Sequence, residues 1–343
     1  MRILKNTLYI NQEDVYLSLD GETVVAKKEK EVLLRVPLHN LEAIISHGYN
    51  GASPRLMQKC AKENIKLVFL DTVGRFLARV EGETKGSVHL RVLQVEKRAD
   101  SNFSLDISKN FILAKVYNSR WVLERAIREY SMRMEVELIQ EVSEYLYQML
   151  PLIRNCEELE ELRGYEGNCA GKYFSVLDML ILNQKEDFFF YKRSKRPPLD
   201  RVNCLLSYFY TLLSFDIAAA LEMVGLDPYI GFMHTDRSGR RSLAVDIEEE
   251  LRAVMVDRFV LTMINKRIVK ASDFETQDSG AVILKEDARK TLLNQWQMKK
   301  NEELTHPYLK EKMKWGLIPY SQALLLAKYL RDELDEYPAF LWK

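Results

Sequence analysis

Up to about residue 80, apolar and polar positions alternate with the two-residue period of a half-buried strand; beyond the Gly82 to Gly86 segment the period lengthens to about 3.6, that of an amphipathic helix. Val15, Leu17 and Leu19 alternate with Tyr16 and Ser18. Asp20-Gly21 then supplies the positive-φ turn that sends the chain back through Thr23-Val24-Val25, which predicts a hairpin. Further strands are predicted at 32–36, 41–46, 66–70 and 76–80. One helix falls among them: Ser53 can cap it, Pro54 suits its first position, and Lys62-Glu63-Asn64 makes the turn that ends it. The second part predicts helices over 107–148, 168–183, 199–224, 246–268, 285–303 and 321–337, broken by Pro151, Gly164, Pro197-Pro198, Asp227-Pro228 and Pro319. The expected class is α+β, with a small β-rich domain over 1–84 and a larger all-helical domain over 85–343.

A length of 343 residues agrees with two domains, and 47% hydrophobic with 29% charged residues excludes disordered and low-complexity classes. Fifty basic and fifty acidic residues cancel, which argues against a surface that is one basic sleeve for nucleic acid but leaves local patches open. Cys60, Cys156, Cys169 and Cys204 form no CxxC pair and read as reduced thiols of a cytoplasmic protein. The first residues hold no continuous apolar run, and the longest uncharged stretch, 202–215, is too short to span a bilayer; no membrane segment is expected. Charge is nonetheless clustered. Lys192-Arg193-Ser194-Lys195-Arg196 is basic, as is the loop with Arg237, Arg240 and Arg241, while acids crowd 246–250 and 157–166.

No Walker loop, GxGxxG, GxSxG, HExxH or zinc-finger spacing occurs, which removes the nucleotide hydrolases, Rossmann dehydrogenases and serine hydrolases. Two segments remain. In the first, Gly231-Phe232-Met233-His234 leads through a basic loop into Ser242-Leu243-Ala244-Val245-Asp246-Ile247-Glu248-Glu249, where Asp246 and Glu249, three apart, face the same side of a helix. Glu249 lies between apolar stripes and is expected to be at least half buried, so it needs a cation. Arg252, one turn on, is the simpler answer; a divalent metal shared with His234 is the other, and an imidazole among carboxylates suits Mn²⁺ or Mg²⁺. In the second segment, Gly164 can end an acidic helix, and Gly167, Ala170 and Gly171 bare one helical face beside Glu166. Close helix packing, with Glu166 as a first-turn acid, is the simpler explanation of that pattern. His39, His47, His89 and His306 read as surface or turn histidines.

These segments resemble the CRISPR-associated endonuclease that integrates new spacers. The resemblance is carried by Gly164-Tyr165-Glu166-Gly167 with Ala170 and Tyr173-Phe174, by Gly231-Phe232-Met233-His234, and by Ser242 to Glu249 with Arg252. It extends to Asn203-Cys204-Leu205-Leu206-Ser207, Gly225-Leu226-Asp227-Pro228, and Gly86-Ser87-Val88-His89-Leu90-Arg91. The resemblance implies an N-terminal β-sandwich dimerisation domain, a helical catalytic domain, a homodimer, and a small ferredoxin-like adaptation partner. It also implies a divalent ion, Mg²⁺ or Mn²⁺, held by Glu166, His234 and Glu249, with Asp246 as an accessory acid. Where the family often has Met-Glu-Pro-Phe-Arg-Pro, this chain reads Glu248-Glu249-Glu250-Leu251-Arg252-Ala253, so its helix is expected to run on uninterrupted. Asn168 to Lys172 and Lys195 to Asp200 are most similar to the subtype I-C branch.

The implied reaction is transesterification, in which a DNA 3′-hydroxyl attacks a phosphodiester of the repeat and needs no protein nucleophile. Arg91, Lys192, Arg193, Lys195, Arg196, Arg237, Arg240, Arg241 and Arg252 are the expected phosphate contacts for protospacer and repeat DNA. Two other readings fit the same residues: a catalytically silent DNA-binding scaffold of this fold, and a metal-dependent phosphoesterase acting on small substrates.

Overall fold

The computed structural model describes residues 6–12, 14–71, 76–83 and 88–343; the expected boundary at 84/85 falls outside them. The chain groups into two compact units, Met1–Lys85 with Glu286–Glu302 and Lys314–Gly316, and Gly86–Lys285 with Glu303–Met313 and Leu317–Lys343.

The first unit holds strands β1 (Asn6–Ile10), β2 (Val15–Asp20), β3 (Thr23–Lys28), β4 (Glu31–Pro37) and β5 (Leu41–His47), helix α1 (Pro54–Glu63), then β6 (Lys66–Leu70) and β7 (Phe76–Val80). β2, β3 and β4 form an antiparallel sheet by successive hairpins, and Gly21 at φ +58° makes the first turn as expected. The other sheet runs β1-β5-β6-β7, with β1 and β6 parallel to β5. Leu17, Val24 and Ala26 from one sheet and Ile10, Ile44 and Leu67 from the other are buried in one core with Leu56 and Cys60 of α1. The Ser53 hydroxyl caps α1 by accepting from the Leu56 amide at 3.3 Å, and Asn64 at φ 56° ends it. His47, expected at the surface, is buried, its Nδ1 3.3 Å from the Ile10 carbonyl oxygen.

The second unit is built on α3 (Ser101–Tyr130), which follows α2 (Val88–Ala99) and packs against α4 (Glu137–Arg154), α5 (Leu159–Ser175) and α7 (Ser242–Leu251). Asp100 caps α3 by accepting from the amides of Asn102 and Phe103. The single helix expected over 107–148 is therefore two, parted at 131–136 by residues that include neither Gly nor Pro. Gly164 does not end a helix either. It lies inside α5, so Glu166 is a mid-helix residue rather than a first-turn acid; burial of Leu162, Cys169 and Tyr173 on one side offsets the poor helix propensity of the glycines.

Between α5 and α7, α6 (Arg201–Val224) is capped by Asp200, which accepts from the Asn203 amide at 2.7 Å, and ends at Gly225, φ +91°. It is long and apolar enough to cross a membrane by length and composition, unlike the shorter uncharged stretch noted above. Yet 56% of that window is buried within the unit, where α6 packs against α7 and α10 (Ile318–Leu330). After α7 the chain neither stops nor runs on regularly: a π-helical turn, Arg252–Asp257, leads into α8 (Arg258–Asn265). This region is also not all-helical, because β8 (Phe274–Thr276) pairs with β9 (Val282–Leu284); three-residue strands are too short to show a period. His306 is fully buried against Gln322, 3.1 Å away, not in a surface turn. Helix α9 (Glu286–Asn301) belongs to the first unit, where Gln297 Nε2 donates to the Tyr9 hydroxyl at 3.1 Å.

Candidate active site

Asp246, fully buried one turn into α7, organises the loop that carries His234. Its Oδ2 accepts from the backbone amides of Phe232 at 2.7 Å and Met233 at 3.2 Å, and its Oδ1 from the His234 amide at 3.2 Å. Oδ1 also lies 2.6 Å from His234 Nδ1. An acceptor-only carboxylate there places an imidazole proton on Nδ1, and Nε2 lies 3.9 Å from Glu249 Oε1. The loop can come this close because residue 231 has no side chain. A Cβ on Gly231 would stand 2.7 Å from Ser242 Cβ and 2.8 Å from Asp246 Oδ2. Gly231→Ala is accordingly expected to cost about 1–3 kcal/mol in denaturant unfolding, the range for overpacking a tight site.

One turn further, Glu249 is 3% exposed and meets two cations. Arg252 Nη1 donates to its Oε1 at 2.5 Å while Arg252 Nε donates to Glu248 Oε1 at 3.0 Å, so the intrahelical pair considered from the sequence does form. Its Oε2 lies 2.7 Å from Lys115 Nζ of α3, and the same ammonium pairs with Glu166 Oε1 of α5. Burial alone raises the Glu249 carboxyl, but Arg252 and Lys115 outweigh it and hold the group well below the ordinary range. Burial raises Glu248, and Arg252 offsets this only in part.

The π-helical turn aims Asp257 back toward this cluster. It is nearly fully buried, accepts from the Tyr173 hydroxyl at 3.0 Å and from that of Tyr210, and burial pushes it up to about 6. Arg252 and Arg193 each lie against the Tyr210 ring, 5.2 and 5.4 Å from its centroid.

Behind the site, the fully buried Glu250 accepts from Gln322 Nε2 at 2.9 Å, the Tyr337 hydroxyl at 2.7 Å and the Phe340 amide at 2.7 Å. Burial pushes its carboxyl up to about 7. Since the folded state holds this proton more tightly than the unfolded chain, the contribution is full below about pH 4.5 and is lost as pH rises to about 7. Glu250→Gln should flatten a stability decline on the order of 3 kcal/mol across that window, as read by urea titrations at stepped pH.

The structure thus brings together Glu166, His234, Asp246 and Glu249, with Glu248 of the same motif, and adds Lys115, Tyr210 and Asp257, for which the sequence carried no motif. Among the described residues, no group of three His, Cys, Asp or Glu side chains is placed to hold an ion as it stands. Lys115 stands between Glu166 and Glu249.

A family model for CRISPR associated protein Cas1 matches residues 8–298. The chain belongs to the Cas1 family. A CRISPR-associated endonuclease Cas1 of Rhodospirillum rubrum is 46% identical over the whole of both chains, and one of Chlorobaculum tepidum is 41% identical over 98% of each. The chain is an endonuclease of this family. Among solved structures, a casposase bound to its integration product superposes with a TM-score of 0.82 at 22% identity, over 98% of this chain and 94% of that one. A Cas1 protein of Thermotoga maritima gives 0.80 at 21%, over 98% and 100%. At that identity the likeness is one of fold.

The basic residues of this Cas1 family member divide by setting. Lys192, Lys195, Arg196 and Arg237 are exposed, and Arg91, Arg240 and Arg241 are partly so. Arg241 lies over the Phe215 ring at 4.4 Å. Partial desolvation and repulsion from Arg252, Arg193 and Lys115 lower Lys195, and Glu249 offsets this only in part. Arg193 and Arg252 are turned inward. Arg193 donates to Asn203 Oδ1 at 2.6 Å and Ser207 Oγ at 3.0 Å, and Arg252 is held by Glu248 and Glu249. Both therefore face away from the role of open phosphate contacts expected for them.

Proposed function

We propose that this chain is a divalent-metal-dependent DNA integrase that inserts spacers into a CRISPR repeat array, a DNA 3′-hydroxyl attacking a phosphodiester. The carrying observation is the pair Glu166 and Glu249 gripping one ammonium from opposite helices beside an imidazole whose Nε2 faces Glu249. Glu166, Asp246, Glu248 and Glu249, four carboxylates, gather around the two cations paired with them, Lys115 and Arg252. The oxygen and imidazole donors fit Mg²⁺ or Mn²⁺ held by Glu166, His234 and Glu249. Such an ion supplies Lewis-acid polarisation of a phosphoryl oxygen.

The chain's own residues do the positioning. Arg252 fixes the rotamer of Glu249, Asp246 fixes the ring of His234, and the exposed cations Lys192, Lys195, Arg196 and Arg237, with Arg91, Arg240 and Arg241, hold phosphates without reading sequence. Solved structures of similar fold, a Cas6-RT-Cas1–Cas2 complex and a Cas1–DNA complex, support a protein partner and a DNA substrate. We read the first unit's two sheets as a sandwich serving a homodimer, the partner as small and ferredoxin-like, and the location as cytoplasmic. The subtype I-C assignment rests on Asn168 to Lys172 and Lys195 to Asp200 alone.

Incubation of the purified protein with branched DNA, with and without Mn²⁺, tests the reading. Joining or cleavage only with the ion is expected, lost in Glu166→Gln and His234→Ala; DNA binding with no metal-dependent activity would leave the silent scaffold. The logarithm of the DNA affinity should fall linearly with the logarithm of the salt concentration, and Arg237→Ala should lower the slope by about one unit.

A further inference from the structure

We infer that Lys115 is a resident counter-cation, holding Glu166 and Glu249 while the divalent ion is absent and leaving them when it binds; this rests on the metal reading of those acids. The two cations on Glu249 are not equivalent. Arg252 takes Oε1 with a planar fork that also engages Glu248 and lies against Tyr210, so several contacts lock it. Lys115 takes Oε2 and the facing Glu166 oxygen with a point charge on a flexible stem. An ion sharing those same carboxylates would stand next to a positive ammonium, and like charges in so buried a place repel strongly.

The surroundings allow the exchange. The Lys115 side chain is 13% exposed and that of Glu166 25%, against 3% for Glu249, so the grip opens on the α5 side. Nothing of this was legible in the sequence, where Lys115 is one lysine in a long amphipathic helix.

The consequence is that metal binding must work against the lysine. The test is calorimetric titration of MnCl₂ into the full chain, together with thermal unfolding in chelator and in Mn²⁺, for the native protein and Lys115→Met. Lys115→Met keeps the stem and removes the charge. It is expected to bind Mn²⁺ at least about tenfold more tightly, to melt lower in chelator, and to gain more from Mn²⁺ than the native protein does. A variant folded only when Mn²⁺ is present supports the inference equally. Unchanged or weaker Mn²⁺ affinity in a folded variant, or a variant that Mn²⁺ does not restore, overturns it and leaves the metal reading intact. Absence of Mn²⁺ binding in both proteins overturns the metal reading and this inference with it.

Discussion

Glu249→Ala is expected to lower the stability of the fold by about 3 kcal/mol, because it takes from Arg252 and Lys115 the buried carboxylate they share and leaves each with a single partner, Glu248 and Glu166. Urea denaturation read by tryptophan fluorescence checks the loss. DNA strand joining should fall by at least about 1000-fold, equivalent to roughly 4 kcal/mol of transition-state stabilisation. Glu249→Gln separates the two effects. The amide keeps the volume and one acceptor, so most of the stability should return while activity should not, since a neutral group no longer balances a metal and Arg252. A glutamine variant that still joins DNA would remove Glu249 from the chemistry. The pH dependence carries the same sign: with its carboxyl held low by Arg252 and Lys115, the contribution of Glu249 is full above about pH 4.5 and is lost as pH falls below it, opposite to Glu250.

The second large effect concerns a residue that need not touch substrate. Asp246→Ala removes the acceptor of three backbone amides and of the His234 ring. Each buried donor left bare costs about 1–3 kcal/mol, with entering water offsetting part, so a loss of roughly 3 kcal/mol is expected. Asp246→Asn is the sharper variant. Its amide nitrogen can donate to Nδ1 and move the imidazole proton to Nε2, the nitrogen that faces Glu249. Nitrogen-15 NMR of His234 should then report the other tautomer, with strand joining falling by about 100-fold or more even where the variant melts near the native temperature. A native tautomer together with lost activity would show that Asp246 acts otherwise than through the histidine.

What was legible was what lies close in sequence. The Asp20-Gly21 turn and the Ser53-Pro54 start of α1 stand as read, because each is a local device whose geometry few residues can adopt. Burial of Glu249 followed from its place between apolar stripes. The β1–β5 pairing was not legible: β1 pairs in parallel with a strand more than thirty residues on, and no turn announces it. Nor was the parting of α3 from α4, where tertiary packing ends a helix that no breaker interrupts. Lys115 was invisible for a related reason. Its partner Glu166 is 51 residues away, and a lysine in an amphipathic helix reads as a solvated one. The π-helical turn likewise has no side-chain signature at Leu251-Arg252-Ala253, although it sets Asp257 against Tyr173 and Tyr210.

The charge ledger gains meaning from this placement. Fifty against fifty says nothing about nucleic acid, because the acids that matter are gathered inside α5 and α7, while Lys192, Lys195, Arg196 and Arg237 stand exposed. The protein is neutral in sum and bipolar where chemistry is proposed.

Anomalous diffraction from crystals of the protein soaked in MnCl₂ tests the central claim most directly. The account expects one manganese peak bounded by Glu166, His234 Nε2 and Glu249, with the Lys115 ammonium withdrawn from between the two acids. A manganese-free site at saturating metal, or a peak held by other residues with these three uninvolved, would contradict it.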